Sequence, residues 1–337
     1  MKLRPLPVVS DFVVDQMPGL LEDEDPQWFR RRVTHVAEEA DWYLSHAAFD
    51  GQDRRVLLLD LLMIQAAMHT KKQTCPRELS SAIARLLGRN EAPIITYELL
   101  VLDNPETDMR AFTRGPVGET EKAFYNAHRT IEHALTPVIA SVDTLLSWLE
   151  GSADGAVLSP DVLIGILKPI CGSFESPALR LMPGGNTDTG HFAQFRPYFM
   201  SMEVGGKKIR GPSGAFSGQM PLLEILFRGD SPSKNSQVYV DLCSEYFPVR
   251  HRERLHEAIM RAKDGRILTN FAARDKLAAQ YVNILDRFFY DFRLNHLRAV
   301  YSQIRNQVRD KEEGTGGFED IRTFLKDRLG EEPDWNW

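Results

Sequence analysis

Ala272-Ala-Arg-Asp-Lys-Leu-Ala-Ala-Gln-Tyr-Val-Asn-Ile-Leu-Asp-Arg-Phe-Phe-Tyr-Asp-Phe-Arg-Leu-Asn-His-Leu-Arg298, continued to Asp310, is the stretch whose reading decides the fold. Its apolar residues recur at helical spacing, which predicts one long helix over 272–310. The same periodicity dominates near 53–70, 77–88, 119–150, 160–171, 219–228 and 236–262, and a last short helix follows Gly317. Pro26-Gln-Trp-Phe-Arg opens a further helix behind the acidic run Glu22-Asp-Glu-Asp25, whose charges suit the positive N-terminal end of a helix. Short strands are conceivable near 92–102, but no alternating set could build a large sheet. The expectation is an all-α fold. Gly151-Ser-Ala-Asp-Gly155, Met182-Pro-Gly-Gly-Asn-Thr-Asp-Thr-Gly190, Gly205-Gly206 and Gly211-Pro-Ser-Gly214 punctuate it as turns and loops. No internal repeat is present.

The chain has 337 residues, enough for one large domain or two small ones at roughly 150 residues each. With 43% hydrophobic and 26% charged residues it is too apolar to be disordered. A net charge of −6 argues against a general binder of nucleic acid or of anionic membranes. The most apolar stretch, Val56 to Met68, is too short to span a bilayer and contains Asp60. Met1-Lys-Leu-Arg-Pro-Leu-Pro has no apolar signal core. Cys75, Cys171 and Cys243 are dispersed and odd in number, which fits a reducing cytoplasm and excludes a cysteine zinc site. A soluble cytoplasmic protein is expected. The tryptophans of Asp334-Trp-Asn-Trp337 could pack on the body or on a second subunit, which leaves a homodimer open.

Four stretches could carry chemistry. No HExxH is present, and His128/His133 and His251/His256 are each five apart, about 140° round a helix. His296 lies inside the long helix, where a lone histidine is more often structural; the functional alternative is an axial heme ligand, with Arg293 one turn earlier beside a propionate or an acid. His128, four residues after Phe124, is a surface histidine or a distal base and donor above a bound ligand. His191-Phe-Ala-Gln-Phe-Arg196-Pro197 spaces Phe192 and Arg196 by four, a ring and a guanidinium suited to the side chain and carboxylate of an aromatic amino acid. Pro197 ends that helix. Gly314-Thr-Gly-Gly317 is a linker, or a lid whose Thr315 and Gly316 close over the substrate's amino-acid end.

Taken in order, these pieces resemble the histidine-ligated heme superfamily of indoleamine 2,3-dioxygenase, tryptophan 2,3-dioxygenase and monodechloroaminopyrrolnitrin synthase, the last most of all. The likeness runs through about residues 93–328. It is carried by Phe195-Arg-Pro-Tyr-Phe, Val204-Gly-Gly, Gly211-Pro-Ser-Gly-Ala-Phe-Ser-Gly-Gln-Met-Pro221, Tyr246-Phe-Pro-Val-Arg-His-Arg252, Phe292-Arg-Leu-Asn-His296 and Gly314-Thr-Gly-Gly317. The resemblance implies a heme-holding helical bundle over 93–337 with a smaller helical part over 1–92, heme b, and an aromatic amino-acid substrate with O₂. His296 falls on the proximal iron ligand and Arg293 on the arginine before it. Arg196 falls on the carboxylate-binding arginine with Phe192 beside it. Ser213, followed by Gly214, falls on the distal-pocket serine, and Thr315 on the residue that meets the amino-acid end. Two positions depart from the pattern. His128 stands where the indoleamine and aminopyrrole enzymes have a distal serine, and His191 stands where the indoleamine enzymes have phenylalanine. Both imply a more polar pocket.

The implied function is a heme-dependent oxygenase of L-tryptophan or a related aromatic amino acid, in secondary metabolism. His128 would be a catalytic donor, and Phe124, His191 and Phe192 would surround the ring. Ring cleavage, monooxygenation and aminopyrrole-forming rearrangement of a halotryptophan stay open. So does a heme-binding sensor without turnover, which would need His296 but not Arg196 and Thr315.

Overall fold

In the computed structural model the described residues are 3–23, 25–88, 91–151, 159–177, 179, 187–220, 222–223, 246–247, 249–262 and 275–304. They are mostly helical. In chain order they form α1 (Pro7–Asp11), a π-helical turn (Phe12–Gln16), α2 (Met17–Glu22), α3 (Pro26–His46), α4 (Gly51–Thr70), α5 (Arg77–Leu86), a second π-helical turn (Glu98–Asp103), α6 (Gly115–Gly151), α7 (Pro160–Phe174) and α8 (Thr189–Phe195). A 3-10 turn (Arg196–Phe199), strands β1 (Met202–Val204) and β2 (Lys207–Ile209), another 3-10 turn (Gly214–Phe216), α9 (Val249–Ala262) and α10 (Lys276–Ile304) follow. The chain divides into two compact units. The first holds the described residues up to Asn126 and Thr187–Gly214; the second holds those from Ala127 to Leu179 and from Ala215 to Ile304.

In the first unit α4 is the core. Every residue from Val56 to Met68 is buried, and α1, α5 and the turn at Arg196–Phe199 pack on it. A helix apolar all round is stable in water only when surrounded. No helix among the described residues is long and apolar enough to cross a membrane. Asp60, inside that apolar run, receives Arg110 Nε at 2.8 Å and Ser10 Oγ at 2.7 Å, and all three residues are inaccessible to solvent. Arg110 Nη1 donates to Asp108 O at 2.8 Å and Nη2 to Leu3 O at 2.7 Å and to Asp60 Oδ2 at 3.2 Å, so each nitrogen of the buried cation is hydrogen-bonded. Helix α3 begins where the acidic run predicts. The Asp25 carboxylate accepts from Gln27 N and Trp28 N, and Pro26 occupies a first-turn position that needs no N–H.

In the second unit α7 lies along α10. Ser159 caps α7 and Asp275 caps α10, each accepting a backbone N–H three residues on. Leu163, Ile166, Leu167 and Ile170 of α7 and Ala278, Val282, Leu285 and Phe289 of α10 are buried at helical spacing. The Phe174 ring meets those of Phe288 and Phe289 at 6.1 and 5.1 Å.

The structure corrects several boundaries. No strand occupies 92–102; residues 98–103 form a π-helical turn, and the antiparallel hairpin lies at 202–209 instead. Gly205 and Gly206, at φ of +58° and +77°, turn that hairpin where the sequence suggests a loop. The helix expected over 236–262 is not continuous: Tyr246 and Phe247 are not α-helical, α9 begins at Val249, and 236–245 lie outside the described residues. The long helix begins at Lys276, since Asp275 is its cap. Helices α1 and α2 have no counterpart in the sequence reading; the prolines near the chain start sit in first turns, where a missing N–H costs nothing.

Candidate functional site

In the first unit the opening turns of α6 pack against α8 and the 3-10 turn after it. Phe192, Phe195 and Phe199 recur at steps of three and four, and all three rings meet Phe124, at 5.5, 5.8 and 6.5 Å. Phe195 and Phe199 are buried, whereas Phe124 and Phe192 are half-buried and form the accessible edge of the cluster. His191, half-buried beside Phe192, has Nδ1 2.8 Å from Thr120 Oγ1. Helix α8 stops at Phe195, before Pro197, and leaves Arg196 half-buried at the start of the 3-10 turn. Phe124, His191 and Phe192 are therefore brought together from two distant stretches, and Arg196 follows one turn on.

A buried carboxylate sets the base of this wall. Glu121 Oε1 accepts from Phe112 N at 2.8 Å and from the Tyr125 hydroxyl; Oε2 accepts from Thr113 N at 2.9 Å and from Thr113 Oγ1. Burial pushes the Glu121 carboxyl above its usual range, against the pull of those hydrogen bonds. It also raises Tyr198 to about 12, helped by the nearby Glu121 charge. Tyr198 stacks on Phe112 at 4.3 Å. The loop holding Ser213 and Gly214 is anchored here as well. A Cβ on Gly211 would lie 1.9 Å from the Phe199 carbonyl oxygen, so only glycine lets the loop approach so closely. Ser213 is half-buried and Gly214 exposed.

The second unit holds His128, Arg293 and His296. Ala278, Val282, Leu285, Phe289, Arg293 and His296 fall on one face of α10 at steps of three and four. The first four are buried; Arg293 and His296 are half-buried. The imidazole thus continues the inward stripe and lies against the Phe292 ring, with centroids 6.4 Å apart. A cavity of about 660 Å³ opens on a neighbouring flank of α10, lined by Phe174, Leu179, Ile284, Phe288, Phe292 and Asn295 among others, and not by His296 or Arg293. His128 is half-buried, with Ile131 and Glu132 buried three and four residues further on.

Two of the motif stretches also meet in this unit. Phe216 stacks on Tyr246 at 5.2 Å, and His251 Nδ1 donates to Ser217 O at 3.1 Å. Between them Gly218 adopts φ +80°, and a Cβ there would meet His251 Nδ1 at 2.7 Å. Gln219 Nε2 donates to Glu132 Oε2 at 2.9 Å.

Thr315 and Gly316 lie outside the described residues, as do Cys243 and the Trp335 and Trp337 tail. Among the described residues no group of three or more His, Cys, Asp or Glu could hold a metal ion. Sequence reading missed Thr120 and Glu121. The aromatic spacing 192-195-199 was a usable signal for the wall, but nothing local marks Glu121 as buried. No family model matches the chain, and no curated protein matches it.

Proposed function

We propose that this chain is a heme-dependent oxygenase of L-tryptophan or a close aromatic amino acid, with the helical bundle of the indoleamine- and tryptophan-dioxygenase superfamily. The observation that carries the reading is the contact of Phe124 with Phe192, with His191 and Arg196 within one turn. An aromatic edge and a guanidinium on one short segment match the ring and the carboxylate of such a substrate.

His296 would hold the heme iron and Arg293 would pair with a propionate. What supports this assignment is a half-buried imidazole on the same face of α10 as the buried Ala278, Val282, Leu285 and Phe289, beside the Phe292 ring. Bound there, heme would supply the activation of O₂. The chain's own residues do the rest. Arg196 takes the carboxylate through paired N–H groups. Phe124 and Phe192 hold the ring and exclude water from one face. Ser213 and Gly214 supply a hydroxyl and an N–H at the pocket edge. The resemblance assigns Thr315 and Gly316, which lie outside the described residues, to the ammonium end. The resemblance assigns His128, in the second unit, a part in proton transfer.

Calorimetric titration of the heme-loaded chain with L-tryptophan tests the substrate half. Arg196→Ala should weaken binding about 10- to 100-fold, the range of one charge-assisted hydrogen-bonded contact. Unchanged affinity in Arg196→Ala would remove the carboxylate assignment.

A further inference from the structure

Thr120 sits one turn into α6, and its hydroxyl oxygen has two neighbours. Pro116 O lies 3.0 Å away and His191 Nδ1 2.8 Å away. A hydroxyl carries one proton, and a carbonyl oxygen can only accept. If Thr120 donated to Nδ1, two oxygens would face each other at 3.0 Å with no proton between them. The proton therefore goes to Pro116 O, and Nδ1–H donates to Thr120 Oγ1. A neutral imidazole protonated on Nδ1 has its lone pair on Nε2. Among the described residues no hydrogen bond reaches Nε2. The ring carrying that acceptor stands next to Phe192, at the half-buried edge of the aromatic cluster.

We propose that Thr120 is a positioning residue: it fixes His191 in the Nδ1–H tautomer, so that Nε2 accepts a hydrogen bond from a ring N–H of the bound ligand. The inference rests on the aromatic amino-acid reading above and narrows it. The ligand must carry an N–H on its ring edge, as an indole does, and a phenyl ring or an N-methylated indole leaves the acceptor without a donor. An acceptor built for one donor discriminates strongly against a ligand that lacks it.

Two measurements on the full chain decide it. The first is ¹⁵N NMR of histidine-labelled protein near pH 8, with the His191 signals assigned by their loss in His191→Phe. Nδ1 should carry the proton in the wild type, and Thr120→Val should move the population toward Nε2–H. An Nε2–H tautomer in the wild type, or no change in Thr120→Val, overturns the positioning role. The second is calorimetry with L-tryptophan and 1-methyl-L-tryptophan. The wild type should prefer L-tryptophan about 10-fold or more, and His191→Phe should bring the two ligands within about twofold. A preference unchanged in His191→Phe overturns the specificity role while leaving the amino-acid reading intact. Failure of the wild type to bind either ligand overturns that reading and the specificity with it, while the tautomer measurement still decides the positioning role of Thr120 by itself.

Discussion

Glu121→Gln separates two effects of the carboxylate beneath the aromatic wall. In the folded protein four donors converge on it, none of them cationic, and burial raises its pKa. A carboxyl whose folded pKa lies above its unfolded value of about 4.3 contributes stability that is present below that pH. The contribution is lost as pH rises through the folded value. Each unit of displacement corresponds to about 1.4 kcal/mol. When protonated, Glu121 can donate to a hydroxyl oxygen of Thr113 or Tyr125 and still accept from the two backbone N–H groups. Glutamine has no such pH dependence, but its NH₂ group replaces Oε2. The Thr113 hydroxyl can turn and accept from it, whereas the Thr113 N–H loses its acceptor, at a cost of about 1–3 kcal/mol. Glu121→Gln should therefore destabilise by about that amount near pH 4.5 and by less near pH 7.5, where the wild type has lost what the variant never had. Urea unfolding followed by circular dichroism at pH 4.5, 6 and 7.5, with a constant slope as the control, reads this directly. A penalty that is independent of pH, or that grows as pH rises, would refute the claim that burial outweighs the hydrogen bonds at Glu121.

Three further outcomes follow from the packing. Arg110→Met leaves Asp60 buried beside Ser10 alone and should cost about 3–5 kcal/mol by urea unfolding, whereas the double variant Asp60→Leu/Arg110→Met should recover most of it. Phe195→Ala, at a fully buried position, should cost about 3–5 kcal/mol in the same assay and weaken L-tryptophan binding, because Phe124 and Phe192 both rest on that ring. Gly218→Ala should cost about 1–3 kcal/mol through its positive φ alone, and its Cβ displaces His251, which histidine ring NMR should register.

The helices were legible because their apolar residues repeat at helical spacing and because Asp25 and Pro26 signal a start. Leu163 to Ile170 and Ala278 to Phe289 are buried in the pattern that periodicity implies. The hairpin at 202–209 was not legible, since three-residue strands carry almost no alternation and its Gly-Gly turn also suits a loop. The start at Val249 was hidden because Tyr246 and Phe247 are buried by Phe216, a contact from thirty positions earlier that periodicity cannot register. Among the candidate site residues, Phe124, His191, Phe192 and Arg196 were singled out by side-chain type and lie in one unit. Thr120 and Glu121 escaped because their roles depend on partners supplied by the fold. Thr120 is an ordinary helix residue until His191 is placed against it, and Glu121 reads as a surface charge until Phe112 and Thr113 turn their N–H groups toward it.

Heme binding through His296 is tested most directly by the ultraviolet-visible spectrum of the heme-reconstituted full chain, ferric and ferrous with CO, with and without L-tryptophan. The expected result is a Soret band in the wild type that shifts when L-tryptophan is added, and loss of stoichiometric heme in His296→Ala. A wild type that takes up no heme, or a His296→Ala variant that keeps it in full, would contradict the assignment.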